Sequence, residues 1–113
     1  MHEFSITQNI LSIVLEKAET AKASRVSKID LVFGELSGVV SECVEFYFGL
    51  LSKATIAAQA SLSFSHPPIR LHCRKCDTIF SPDNYSWACP NCQEQEIEII
   101  SGRELYIESI EVE

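Results

Sequence analysis

The sequence predicts an α+β protein, with two helices on a small three-stranded sheet and an inserted four-cysteine module. Segments with helical periodicity alternate with segments in which every second residue is apolar. Two Cys-x-x-Cys pairs interrupt this pattern late in the chain, and a last alternating segment follows them. Because a sheet of only two strands is marginally stable, we expect that last segment to pair with the other two as the third strand.

Both helices are predicted from apolar residues at three- and four-residue steps. In residues 3–22 this stripe comprises Ile6, Ile10, Ile13, Val14, Ala18 and Ala21. In residues 40–53 it comprises Val40, Val44, Tyr47, Phe48 and Leu51. Gly49 weakens the second helix by about 1 kcal/mol relative to alanine. Cys43, on the same helix, is expected to be buried and inert.

Three segments have the alternation of strands. Residues 26–34 place Ile29, Leu31 and Phe33 on one face and end at Gly34. Residues 60–65 alternate apolar residues with serines, and the two prolines after His66 stop the strand because neither can donate to a ladder. Residues 103–113 alternate in mixed phase, which indicates a bulge or a strand that is apolar on both faces.

This order predicts two domains, because the cysteine-rich segment falls between the second and third strands. The first domain comprises residues 1–66 and 101–113. The second comprises residues 67–100 and contains both cysteine pairs. The module is therefore an insertion rather than a tail.

The composition of the chain argues against several classes of function. With 9 basic and 16 acidic residues among 113, the net charge is −7, which disfavours a nucleic-acid partner. No segment approaches the length of about 18–20 apolar residues that a membrane span needs. The start of the chain does not resemble a signal peptide, so a reducing cytoplasm is expected, where Cys-x-x-Cys pairs more often hold metal than form disulfides.

The strongest motif is the pair of Cys-x-x-Cys knuckles, which twelve residues separate. Four thiolates at this spacing predict a closed, tetrahedral, zinc-ribbon-like site with a structural Zn²⁺, held by Cys73, Cys76, Cys89 and Cys92. A turn at residues 82–84 suits the tip of a hairpin in the spacer, and Tyr85 and Trp87 are expected to cover the site. Iron in the same geometry, a reactive metal and a dithiol redox pair are the alternatives.

A second candidate site lies at the start of the chain. The α-amine of Met1, the amide nitrogen and imidazole of His2, and the carboxylate of Glu3 lie within a few bonds of one another. A set rich in nitrogen favours Ni²⁺ or Cu²⁺ over Zn²⁺. His2 must be neutral to bind a metal, so binding is expected to weaken at acidic pH.

Taken together, these motifs resemble the HypA/HybF family of nickel metallochaperones. The resemblance rests on Met1-His2-Glu3, on Val-x-x-Ile-x-Leu-x-Phe-Gly-Glu-Leu-Ser-Gly-Val from Val26 to Val39, on Glu45-Phe46-Tyr47-Phe48, on both knuckles, and on Glu104 to Val112. It covers essentially the whole chain. Where the family often has an acidic residue followed by proline, this chain has Val40 and Ser41.

The resemblance implies a metal carrier rather than an enzyme. It implies that Ni²⁺ is cargo held by Met1, His2 and Glu3, and that Zn²⁺ is held by the four cysteines. The implied partners are a nickel-handling maturation GTPase (HypB-like) and the precursor of the [NiFe]-hydrogenase large subunit. Because some strands are exposed, a domain-swapped homodimer is a further alternative. The rival interpretation is a zinc-ribbon module that binds a protein or a nucleic acid.

Overall fold

The structure is a computed structural model that describes residues 2–83 and 86–113. These residues form two helices and six strands. Their bounds are α1 Glu3–Thr20, β1 Val26–Phe33, α2 Ser41–Leu51, β2 Ser61–Ser65, β3 Arg70–Cys73, β4 Ile79–Phe80, β5 Ile97–Ser101 and β6 Leu105–Val112. The predicted α+β class is confirmed, and each predicted helix and strand is present.

The chain divides into two compact units. The helical unit comprises Met1–Val32, Gly38–Ser65 and Tyr106–Glu113. The cysteine unit comprises Phe33–Ser37 and His66–Leu105. Residues 33–37, which begin at the last residue of β1, therefore belong with the cysteines rather than with the helices.

A three-stranded sheet of order β2-β1-β6 underlies the helical unit. Strands β1 and β2 are parallel, with Ile29 opposite Leu62, and α2 lies in the crossover between them. Strand β6 runs the opposite way, because Arg25 before β1 and Glu113 after β6 exchange backbone hydrogen bonds of 3.2 and 2.8 Å. The last strand thus completes the sheet, as predicted.

The core of the helical unit lies between this sheet and the two helices. Its buried apolar side chains are Ile10, Leu11, Val14, Ala18, Val26, Ile29, Leu31, Val32, Val44, Phe48 and Ala57. The predicted stripe on α1 was wrong at Ile13, which is 46% exposed, and at Ala21, which is exposed and follows the helix; Leu11 and Thr7 complete the buried face instead. The stripe on α2 was wrong at Val40, which is exposed because it is the N-cap. Neither helix in the described part of the chain is long and apolar enough to cross a membrane.

The cysteine unit has its own antiparallel sheet of order β4-β3-β5, which the sequence analysis did not predict. Leu71 of the central strand β3 is fully buried and lies opposite Phe80 and Ile99. Asp83 and Ser86, in the spacer between the knuckles, exchange backbone hydrogen bonds of 3.2 and 2.7 Å. Asn84 and Tyr85, which the predictions also named, lie outside the described residues.

Two glycines allow a close backbone approach within the cysteine unit. A side chain at Gly34 would clash with the backbone of Gly102. Gly102 has a φ of +114° and its carbonyl accepts a 2.6 Å hydrogen bond from Leu36. The segment after β1 is therefore tied to the segment before β6 at a place where only glycine fits.

Candidate metal centres

The two knuckles bring their four thiols together. Sγ atoms of all four cysteines lie within 4.8 Å of one another. Two of these separations are 3.5 Å, between Cys73 and Cys92 and between Cys76 and Cys89. These distances exceed a disulfide bond of about 2.05 Å. They are close to the spacing of about 3.8 Å that sulfurs have around a tetrahedral zinc with bonds of about 2.3 Å.

Both knuckles are built by the same backbone turn. The carbonyl of the first cysteine accepts a 2.8 Å hydrogen bond from the residue four positions later, which is Asp77 after Cys73 and Gln93 after Cys89. Asp77 and Gln93 both adopt the left-handed conformation, with φ of 63° and 62°. Each first cysteine also donates its N–H five positions ahead, at 2.9 and 3.1 Å. Two equivalent turns thus present two sulfurs each.

Neighbouring donors stabilise negative charge on two of these sulfurs, those of Cys76 and Cys89. The Thr78 hydroxyl, 3.0 Å from Sγ of Cys76, and the Asn91 amide lower the pKa of Cys76 to about 6. Burial raises the pKa of Cys89, but the backbone N–H groups of Cys92 and Asn91 outweigh it and lower the pKa. The Glu94 backbone lowers the pKa of Cys92, whereas burial and hydrogen bonds with the other thiols raise it to about 12. Polar neighbours therefore favour the thiolate at Cys76 and Cys89, whereas a bound metal would be needed to displace the proton of Cys92.

The arrangement is a closed sulfur site. Within residues 2–83 and 86–113, the four cysteines are the group of potential metal ligands that comes within reach of one ion. His72 is not a fifth ligand, because its ring nitrogens lie 2.6 Å from Glu98 and 3.0 Å from Asp77. Hydrogen bonds that the ring donates to the carboxylates of Glu98 and then Asp77 raise the pKa of His72. A site without an open position is structural rather than catalytic.

Trp87, which was expected to cover the metal site, lies in the cysteine unit and is accessible to solvent. It is 39% exposed and lines a surface cleft with Ser86, Gln95 and Ile97. Cys89 is buried and lines a separate cleft with Phe80 and Pro90.

The second candidate site begins the helical unit. Met1 lies outside the described residues. His2 is exposed and is the N-cap residue of α1, and its carbonyl accepts a 2.9 Å hydrogen bond from Ile6. The prediction that the first helix begins directly after His2 is confirmed.

Glu3 is placed differently from a surface ligand. It is only 9% exposed, and its Oε2 accepts a 3.0 Å hydrogen bond from the backbone N–H of Val40. This hydrogen bond is the largest cause that lowers the pKa of Glu3. The sequence carried no signal for the pair, because 37 positions separate the two residues.

The prediction for Cys43 was wrong, because Cys43 is exposed. The buried face of α2 is formed by Val44 and Phe48, four residues apart. Cys43 precedes Val44 by one position, which is about 100° around the helix, and therefore points elsewhere.

The fold and the cysteine site define a small α+β metal-binding protein with an inserted four-cysteine module. The family model described as "Hydrogenase/urease nickel incorporation, metallochaperone, hypA" matches residues 1–112. The chain therefore belongs to the HypA family. The family description is that of metallochaperones, which confirms the predicted family and the assignment of the chain as a carrier rather than an enzyme.

Individual relatives agree along the full length. The chain is 44% identical over 113 residues to hydrogenase maturation factor HypA of Dehalococcoides mccartyi, covering 100% of this chain and 95% of that protein. It is 42% identical over 114 residues to the HypA of Caldanaerobacter subterraneus, with 100% of both covered. The solution structure of the Ni metallochaperone HypA from Helicobacter pylori matches with a TM-score of 0.69 at 22% identity, covering 99% of this chain and 97% of that one. This last likeness shows the fold.

Proposed function

We propose that this protein carries Ni²⁺ at its N-terminal Met1-His2-Glu3 segment and delivers it to the precursor of the [NiFe]-hydrogenase large subunit. The match to the nickel-incorporation family over residues 1–112 is the observation that carries the proposal. The exposed position of His2 at the start of α1 supports it, because a cargo ion must be reachable by the acceptor.

A structural Zn²⁺ held by Cys73, Cys76, Cys89 and Cys92 completes the proposal. Four thiolates in a closed cage bind zinc too firmly to release it as cargo. An exposed site whose ligands include the nitrogen atoms of Met1 and His2 can exchange its ion on contact. Transfer of Ni²⁺ into the thiolates of a hydrogenase precursor would then run toward the softer, stronger donors.

The proposed setting is the cytoplasm, with a HypB-like GTPase as the nickel-handling partner. Family membership supports a role in maturation, and the net charge of −7 argues against nucleic acid as the partner.

The proposal is tested by nickel titration calorimetry on protein without a tag, because an extension would block the α-amine. Wild type is compared with His2→Ala, and His66→Ala serves as the matched control because it removes an exposed imidazole from the cysteine unit. We expect His2→Ala to lose the nickel site, while His66→Ala binds as wild type does. Zinc content should stay the same in all three. Equal nickel binding by wild type and His2→Ala would overturn the proposal.

A further inference from the structure

The Glu3 side chain of α1 caps the start of the other helix, α2, a role that a residue of α2 itself would ordinarily have. In a capping box, a glutamate at the third helical position bonds the N–H of the N-cap residue. The N-cap of α2 is Val40, whose own side chain makes no capping hydrogen bond, and the third helical position holds Cys43, which has no carboxylate. Glu3 of α1 supplies the missing acceptor at 3.0 Å. A negative charge at this end of α2 is also favourable to the helix dipole.

Further contacts hold the first turn of α1 in place. The carbonyl of Glu3 accepts a 2.6 Å hydrogen bond from the buried Thr7 hydroxyl. The ring of Phe4, the next residue, packs edge-on against the ring of Tyr47 in α2, with 5.2 Å between the two ring centroids. The residues directly after His2 are thus bound to α2 by a charged hydrogen bond and an aromatic contact.

We propose that the Glu3 carboxylate is a positioning group and not a nickel ligand: it fastens the start of α1 to the N-cap of α2 and so holds His2 in place. This inference rests on the proposed function for its nickel readout. A carboxylate that lost the Val40 N–H in order to bind Ni²⁺ would leave the start of α2 without its acceptor.

Two conservative variants separate positioning from ligation because they preserve different properties. Glu3→Gln keeps the length of the side chain and an oxygen that can accept from Val40, but it loses the carboxylate. Glu3→Asp keeps the carboxylate but withdraws it by about 1.5 Å, one carbon–carbon bond. Positioning therefore predicts that Gln is tolerated better than Asp, and ligation predicts the reverse order.

The experiment combines nickel titration with the visible absorption spectrum of the nickel-loaded protein, on tagless full-length chains. We expect Glu3→Gln to keep the wild-type absorption bands and most of its affinity. Glu3→Asp should keep the bands but bind about ten- to a hundredfold more weakly, the effect of losing one charge-assisted hydrogen bond. Shifted bands in Glu3→Gln, with wild-type bands and affinity in Glu3→Asp, would overturn the proposal.

Thermal unfolding of the nickel-free variants separates this inference from the proposed function. If Glu3 fastens α1 to α2 as proposed, the midpoint temperature of unfolding should be lower for Glu3→Asp than for Glu3→Gln even without nickel. We call this link between Glu3 and Val40 the clamp, and the opposite order would refute it. If His2→Ala bound nickel as wild type does, the proposed function would fail, and the unfolding order would still decide the clamp. If Glu3→Asp did not fold, the absorption bands of Glu3→Gln would decide between positioning and ligation.

Discussion

Removal of the metal should unfold the cysteine unit and spare the helical unit. The perturbation is a strong zinc chelator with a thiol reductant, or the substitution Cys76→Ser, which deletes one of four clustered sulfurs. The units differ in what holds them together. The helical unit has an apolar core between its sheet and its helices, whereas the cysteine unit is centred on its sulfurs.

The magnitude follows from burial. Among the described residues of the cysteine unit, Phe33 and Leu71 are the buried apolar side chains besides Cys73 and Cys89. Burying two such side chains contributes about 3–6 kcal/mol. A structural zinc site contributes on the order of 10–16 kcal/mol of folding free energy. The metal is therefore the larger contribution, and its loss should unfold this unit.

The chain carries a separate probe for each unit. Its one tryptophan, Trp87, lies in the cysteine unit and is 39% exposed when folded. Both helices lie in the helical unit, so the helical circular dichroism signal reports on that unit. Chelation should shift Trp87 emission to the red while most of the helical signal persists.

Cys43→Ser is the matched control, since it removes an exposed thiol of the helical unit that is not part of the cluster. It should keep its zinc and its emission spectrum. Two results would refute the reasoning. Trp87 emission that stays unchanged after zinc release has been measured would mean that the cysteine unit is stable without metal. If the helical circular dichroism signal were lost together with the change in Trp87 emission, the helical unit would not be stable without the cysteine unit.

Two further predictions concern the helical unit. Phe48→Ala, at a side chain 3% exposed, should lower the free energy of unfolding by about 3–5 kcal/mol in denaturant titrations, whereas Phe46→Ala, 63% exposed and on the same helix, should cost far less. Equal losses would contradict the assigned helix face. Asp30 accepts a 2.7 Å hydrogen bond from Ser109, which lowers its pKa. A lowered pKa stabilises the fold above the unfolded value of about 4, and this contribution is lost as the pH falls through the folded pKa. Asp30→Asn should therefore be less stable than wild type at neutral pH, and the difference should shrink below about pH 4; a difference that does not change with pH would contradict this.

Local patterns in the sequence predicted much of the fold. Period-two alternation located β1, β2 and β6, and helical spacing located α1 and α2. The Cys-x-x-Cys spacing identified the four sulfurs that the structure brings within 4.8 Å. These features are readable because each depends on residues that are neighbours in sequence or repeat at a fixed step.

Several features that depend on residues far apart in the sequence were not predicted. The hydrogen bond from Val40 to Glu3 joins residues 37 positions apart, so Glu3 could be interpreted only as an acidic residue beside His2. The sheet of the cysteine unit contains strands as short as the two residues of β4, too short for any period to show. The exposure of Cys43 and Ile13 depends on where the helix axis lies over the sheet, which an apolar stripe defines only approximately.

X-ray absorption at the nickel and zinc edges of one tagless sample loaded with both metals tests the central claim most directly. We predict four sulfur neighbours around zinc at about 2.3 Å, from Cys73, Cys76, Cys89 and Cys92. Around nickel we predict nitrogen and oxygen neighbours only, with the scattering pattern of one imidazole from His2. Sulfur neighbours around nickel without the scattering pattern of an imidazole would contradict the claim, because the cysteines would then hold the cargo and the N-terminal segment would not.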